Sequence, residues 1–216
     1  MEKNTAPGPD HISIEFFQSC WSFIKLDITH LFEEFYEHHR DVGRLNYGTI
    51  ILLPKSKEAN CIQQYRPICL LNVVYKIITK ALMLRLEKSM NKIINKAQNA
   101  FIKNKNILDG VMPLHEILHD TKLKKKEGLV LKLDFEKAYD KINWEFMREC
   151  LRQRGFSKKW CSWIWSVMTS GTLSVKVNDQ MGSYFMCGKG DRQGDPLSPL
   201  LFNIAVDSLA KMINLA

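Results

Sequence analysis

The chain has 216 residues with 45% hydrophobic content, enough for one fair-sized domain or two small ones around a proper core. Lysine and arginine total 31 against 23 acidic residues, and the net charge of +8 suggests a polyanionic partner. The six cysteines include no Cys-x-x-Cys pair, which argues against a zinc knuckle and for reduced thiols. Met1 to Thr5 lacks the apolar core of a signal peptide, and no uncharged stretch reaches the ~20 apolar residues needed to span a bilayer. The expectation is an intracellular protein, in cytoplasm or nucleus, with no membrane partner.

Along the chain, Thr5 to Asp10 is a Pro/Gly loop, and His11 opens a helical pattern that puts Phe17, Trp21 and Ile24 on one face. Gly48 to Leu53 reads as a buried strand stopped by Pro54, followed by a polar loop leading to Tyr65-Arg66-Pro67-Ile68. Asn72 is a suitable N-cap for a long helix, and a further helix is expected from Ile107 to Lys124, interrupted or started near Pro113. Leu129 to Leu133 reads as a mostly apolar strand that delivers Asp134 at its C-terminal edge, a common place for metal and phosphate chemistry. Asn143 and Ser157 cap two helices, with Gly155 ending the first. Leu173, Val175 and Val177 alternate as a strand, Asn178 to Gly182 turn, and Tyr184 to Met186 return. Pro196 and Pro199 sit where a last helix, Leu200 to Leu215, begins. That helix ends without a capping signal, so the chain is expected to be cut.

The loop Arg192-Gln193-Gly194-Asp195-Pro196-Leu197-Ser198-Pro199 combines glycine freedom, polar side chains and a helix entry, so its backbone can approach a flat ligand. Taken by itself, the loop reads more simply as a turn before a proline-started helix. Arg85, Lys88, Lys92 and Lys96 are spaced for one helical face, which serves either as a solvated surface or as a phosphate track.

Lys132-Leu133-Asp134-Phe135-Glu136-Lys137-Ala138-Tyr139-Asp140, the loop from Arg192 to Pro199, and Tyr65-Arg66-Pro67-Ile68 form an ordered set. Thr5 to Asp10, Leu52-Leu53-Pro54-Lys55, Asn72 to Leu86, Gln98 to Ile102 and Ser174 to Asn178 extend it. Together they resemble the reverse transcriptases of non-LTR, LINE-type retrotransposons over nearly the whole chain. The resemblance implies an α+β fold of the right-hand polymerase type. Residues 1–127 would be an N-terminal extension and helical fingers-like region, and residues 128–216 an incomplete palm without a thumb. It implies RNA-directed DNA polymerisation, with an RNA template, a DNA primer, deoxynucleoside triphosphates and magnesium. Asp134 would be the catalytic carboxylate and, with the Phe135 carbonyl, a ligand of Mg2+. Tyr139 would gate the sugar, and the bland alternative for it is a core aromatic. Gln193 and Gly194 would lie near the incoming nucleotide, and Lys55 and Arg66 would grip its triphosphate. Arg85, Lys88, Lys92 and Lys96 would track template phosphates.

The family's aromatic-x-Asp-Asp turn has no counterpart, because the chain contains no Asp-Asp pair. After Asp195 the only acidic residue is Asp207, inside the last expected helix, while Asp140, Asp191 and Asp195 occupy positions with no metal role in the family pattern. One aspartate and one carbonyl hold magnesium weakly. The isolated chain is therefore expected to show no polymerase activity and to leave apolar palm surface uncovered. A noncatalytic nucleic-acid-binding remnant is the alternative. His115-Glu116-Ile117-Leu118-His119 matches the HExxH pattern of zinc peptidases, yet no histidine follows His119 to complete the ligand set. Asp134 as a phosphatase-type nucleophile would want a second aspartate where Glu136 stands.

Overall fold

A computed structural model describes residues 5–37 and 42–215; Met1 to Asn4, read above for a leader, lie outside the described residues. The helices are α1 Ile14–Ser19, α2 Trp21–Tyr36, α3 Val73–Ile93, α4 Leu108–Leu123, α5 Trp144–Gln153, α6 Lys158–Thr169 and α7 Ser198–Leu215. The strands are β1 Tyr47–Pro54, β2 Tyr65–Leu71, β3 Thr172–Val177, β4 Gln180–Met181 and β5 Phe185–Met186. The α+β class is as expected.

One mixed sheet organises the fold. β1 lies between β2, antiparallel with Gly48 opposite Leu71, and β3, parallel with Gly48 opposite Leu173. β4 and β5 both pair antiparallel with the far edge of β3. The sheet thus joins strands from both sides of residue 127. Asn178 and Asp179 both have positive φ, 50° and 63°, the left-handed pair that a two-residue hairpin needs. The turn is therefore tighter than the Asn178-to-Gly182 expectation, and β4 follows it directly. The pattern from His11 breaks at Cys20 into two helices, leaving Trp21 exposed.

The core forms where α3, α5, α6 and α7 meet the sheet. Leu71, Ile78, Leu86, Met147, Leu151, Ile164, Leu201 and Ile204 are all buried there. α5 and α6 carry working N-caps: Asn143 accepts from the Phe146 amide at 3.0 Å, and Ser157 accepts from the Trp160 amide at 3.2 Å. Asn72 precedes α3 as expected but caps nothing with its side chain. Its Oδ1 accepts instead from the Asp10 amide at 3.2 Å, which pins the N-terminal loop to the start of α3.

One expected element is not formed. Residues 128–133 adopt no strand, and Leu129 is 92% exposed, with Val130, Leu131 and Leu133 also in solvent. A strand needs a ladder partner, because unpaired backbone groups gain nothing from leaving water. β3 cannot serve, since β1 occupies one of its edges and β4 and β5 the other. No residue of α4 is buried, and Val111, Met112, Leu114 and Ile117 are uncovered.

Candidate nucleotide-binding cleft

A cleft of about 630 Å³ opens where the β1 end, the β2 start, the Asp134 segment and the loop before α7 converge. Lys55, Arg66, Asp134, Phe135 and Gln193 all line it. The β1–β2 connection is closed by its own polar groups. Gln64 Oε1 accepts from the Asn60 amide at 2.7 Å, the Lys55 amide donates to the Gln64 carbonyl at 2.8 Å, and Tyr65 donates to the Ala59 carbonyl. The Lys55 ammonium donates to the Gln63 carbonyl at 2.8 Å, which positions the charge without neutralising it. Arg66 is exposed and has no ion-pair partner among the described residues. Two cations side by side suit a phosphate chain.

The loop Arg192–Asp195 is fastened to β2. The Cys69 amide donates to the Gln193 carbonyl at 2.7 Å, and Gly194, at φ +121°, packs on the Cys69 carbonyl where a Cβ would collide. Only glycine fits that close approach with that backbone. Gln193 reaches the cleft through this docking, whereas Gly194 holds the loop and does not line the cleft.

Behind the loop lies a buried polar cluster that the sequence reading did not anticipate. Arg192 donates to Asn46 Oδ1, and its guanidinium stands 5.3 Å from the Tyr75 ring. Asn46 donates to the Val167 carbonyl at 3.0 Å and to Ser170 Oγ at 2.9 Å. Gly171 leaves room for the guanidinium, where any side chain would overlap it. Tyr75 donates to the Val167 carbonyl at 2.9 Å and approaches Asp195 Oδ2 at 3.4 Å. Asp195 Oδ1 accepts from the Leu197 amide at 2.9 Å, and burial raises its pKa. Asp191 is 6% exposed with Oδ2 unpartnered; burial first, then the Asp195 charge, pushes it up to about 8 against the pull of Arg192. Its amide donates to the Tyr139 carbonyl at 2.8 Å, tying this cluster to the Asp134 segment. The one available signal was the density of Asp and Arg beside glycines at 190–195.

Other expected site residues stand apart. Tyr139 is half-buried in a 3₁₀ turn, its ring stacked on Phe202 at 4.8 Å and absent from the cleft wall that Ala138 and Asp140 line. The four basic residues do not share a helix face. α3 ends at Ile93, so Lys96 lies beyond it, and the Arg85 guanidinium turns over Trp160 and Trp163 at 5.5 and 5.3 Å. Lys88 and Lys92 remain exposed.

Reverse transcriptases generally use divalent metal ions, but the donors here do not complete such a site. Asp134 sits in an irregular segment, and no three His, Cys, Asp or Glu residues converge for a cation among the described residues. Asp134 with one carbonyl falls short of the charge and coordination that magnesium requires. Among the described residues, His115 and His119 likewise have no third ligand beside them.

Residues 53–216 match the family model described as reverse transcriptase (RNA-dependent DNA polymerase). The Transposon TX1 uncharacterized 149 kDa protein of Xenopus laevis is 29% identical over 207 residues, covering 96% of this chain and 16% of the relative. The Retrovirus-related Pol polyprotein from type-1 retrotransposable element R2 of Nasonia vitripennis is 25% identical, covering 98% of this chain and 20% of the relative. A solved structure of apo telomerase from Candida tropicalis, truncated from its C-terminal domain, aligns at a TM-score of 0.49 and 17% identity. It covers 80% of this chain and 40% of that one. The chain spans about a fifth or less of the curated relatives' length. With three quarters of its residues inside the family match and retrotransposon proteins as relatives, the chain belongs to the reverse transcriptase family, as a domain of the LINE-type kind.

Proposed function

We propose that the ≈ 630 Å³ cleft receives a deoxynucleoside triphosphate for RNA-directed DNA synthesis. The observation that carries this reading is convergence. Residues from three distant segments, 55–66, 134–135 and 193, meet at one cleft in a chain of this family. Lys55 and Arg66 bind the phosphates as positive charge, Gln193 offers its amide to the base or sugar, and Asp134 and Phe135 line the same cleft. The template and primer are the partners this reading requires, with Lys88 and Lys92 as phosphate contacts.

Asp134 is the catalytic carboxylate in this proposal, and a polymerase centre needs at least one more carboxylate brought beside it. These 216 residues therefore bind the nucleotide without joining it to a primer. Photolabelling with an azido-dATP, followed by peptide mapping, tests the assignment. Label is expected in the peptides around Lys55–Pro67 and Asp134–Asp140. Label confined to other peptides, or primer extension dependent on Asp134 in the isolated chain, overturns it.

The noncatalytic alternative has its own support in the exposed Lys88 and Lys92. It expects oligonucleotide binding without triphosphate labelling of the cleft.

A further inference from the structure

The α5–α6 face carries a second pocket, about 400 Å³, that shares no residue with the nucleotide cleft. Arg148 and Arg152 come from one face of α5, Phe156 from the link, and Lys158, Ser162 and Trp165 from one face of α6. No residue lining it is acidic. We propose that this pocket binds one nucleotide unit of a single-stranded nucleic acid, with its flanking phosphates on the three cations. The inference rests on the reading that the chain handles nucleic acid, and it adds a contact surface outside the cleft.

Three features favour that ligand. First, the Arg148 guanidinium already lies over the Trp165 ring, 4.7 Å from its centroid, so cation and stacking surface are positioned together. Second, the competing ion pairs are weak. Arg148 pairs with Glu145 at 2.6 Å and Arg152 with Glu149 at 3.1 Å, but all four side chains are about half exposed or more, where such pairs contribute little. A phosphate can replace either carboxylate at small cost. Third, Lys158 forms no ion pair among the described residues and opens α6, whose first-turn amides add partial positive charge. An acidic peptide would satisfy the cations but would make no use of the half-buried Phe156 and Trp165 rings beside them.

Anisotropy of a labelled single-stranded oligonucleotide, titrated against the wild-type chain and the R148Q/R152Q/K158Q variant, tests the proposal. The double variant R152Q/K158Q leaves the Arg148–Trp165 contact in place and guards against misfolding. The wild-type chain is expected to bind with a salt slope that falls by about 2 in the triple variant, at ~0.7 per phosphate on a single strand. Affinity at low salt is expected to drop at least about tenfold in the triple variant and by less in the double one. Unchanged affinity and slope in both variants overturn the proposal, as does equal competition by a polyglutamate of the same charge. Azido-dATP labelling of the cleft should persist in both variants. Loss of oligonucleotide binding there with cleft labelling intact supports the second site. Cleft labelling that fails in the wild-type chain while this pocket still binds counts against the proposed function alone.

Discussion

Asp207 is the residue whose removal should cost this fold the most for a single polar change. Its side chain is 1% exposed and pairs with the 9%-exposed Arg154 at 2.7 Å. Arg154 also donates to Ser208 Oγ and to the Cys150 and Ile204 carbonyls. Asp207 Oδ1 accepts from the Asn95 amide at 2.8 Å, and Lys211 approaches at 2.9 Å. One carboxylate thus joins the ends of α3 and α5 to the middle of α7. Removing one member of a buried ion pair costs about 3–5 kcal/mol. Arg154 keeps three other acceptors and Lys211 is half exposed, which pulls Asp207→Ala towards the lower end. The orphaned Asn95 amide pulls the other way. About 3 kcal/mol is a large share of the roughly 5–15 kcal/mol that hold a domain together.

Urea unfolding, followed by tryptophan fluorescence from the five tryptophans, measures this loss directly. Asp207→Asn should lose less, because an amide oxygen can still accept from Asn95. Burial raises the Asp207 pKa, but hydrogen bonds from Lys211, the Asn95 amide and Arg154 together hold it below the usual carboxylate value. Its contribution is therefore present above pH ~4 and is lost as pH falls through the depressed folded value. An Asp207→Ala chain within about 1 kcal/mol of wild type would show that the Asp207–Arg154 pair does not hold the fold in this way.

Asp191 has the opposite sign. Its folded pKa of about 8 lies above the ordinary 3.8, so its stabilising contribution is full below the lower value and is lost as pH rises through the higher. Asp191→Asn should melt above wild type by a margin that grows from pH 5 to 8, at most about 5 kcal/mol, and parallel melting curves would exclude this. Gly194→Ala should destabilise by about 1–3 kcal/mol, because φ +121° strains alanine and its methyl meets the Cys69 carbonyl. It should also weaken azido-dATP labelling as Gln193 leaves the cleft; an unchanged melting temperature would contradict the docking.

Much of the fold was legible where local chemistry decides it. The caps at Asn143 and Ser157, the alternation of β3 and the apolar run of β1 all act over a few residues. Leu129 to Leu133 shows the limit of such reading, since the run has strand character but pairs with no strand of the sheet, β3 being taken on both edges. Asn72 shows another, because a good cap was drawn into holding the N-terminal loop. At the site, Lys55, Arg66, Asp134, Phe135 and Gln193 were legible through motif order. The Asn46–Arg192–Tyr75 cluster was not, since its members lie up to 146 residues apart and nothing in the sequence pairs Asn46 with the Arg192 loop. Arg85 was legible as a cation, yet only the packing of α6 reveals Trp160 and Trp163 beneath it.

In the proposed function Lys55 and Arg66 hold a triphosphate. Calorimetric titration of one deoxynucleotide as the triphosphate and as the monophosphate, against wild type and K55A/R66A, measures it most directly. Wild type should prefer the triphosphate by at least about tenfold, and the double variant should bind the two alike, since each charge-assisted contact contributes roughly 1.5–3 kcal/mol. A triphosphate preference that survives both substitutions would exclude Lys55 and Arg66 as its ligands.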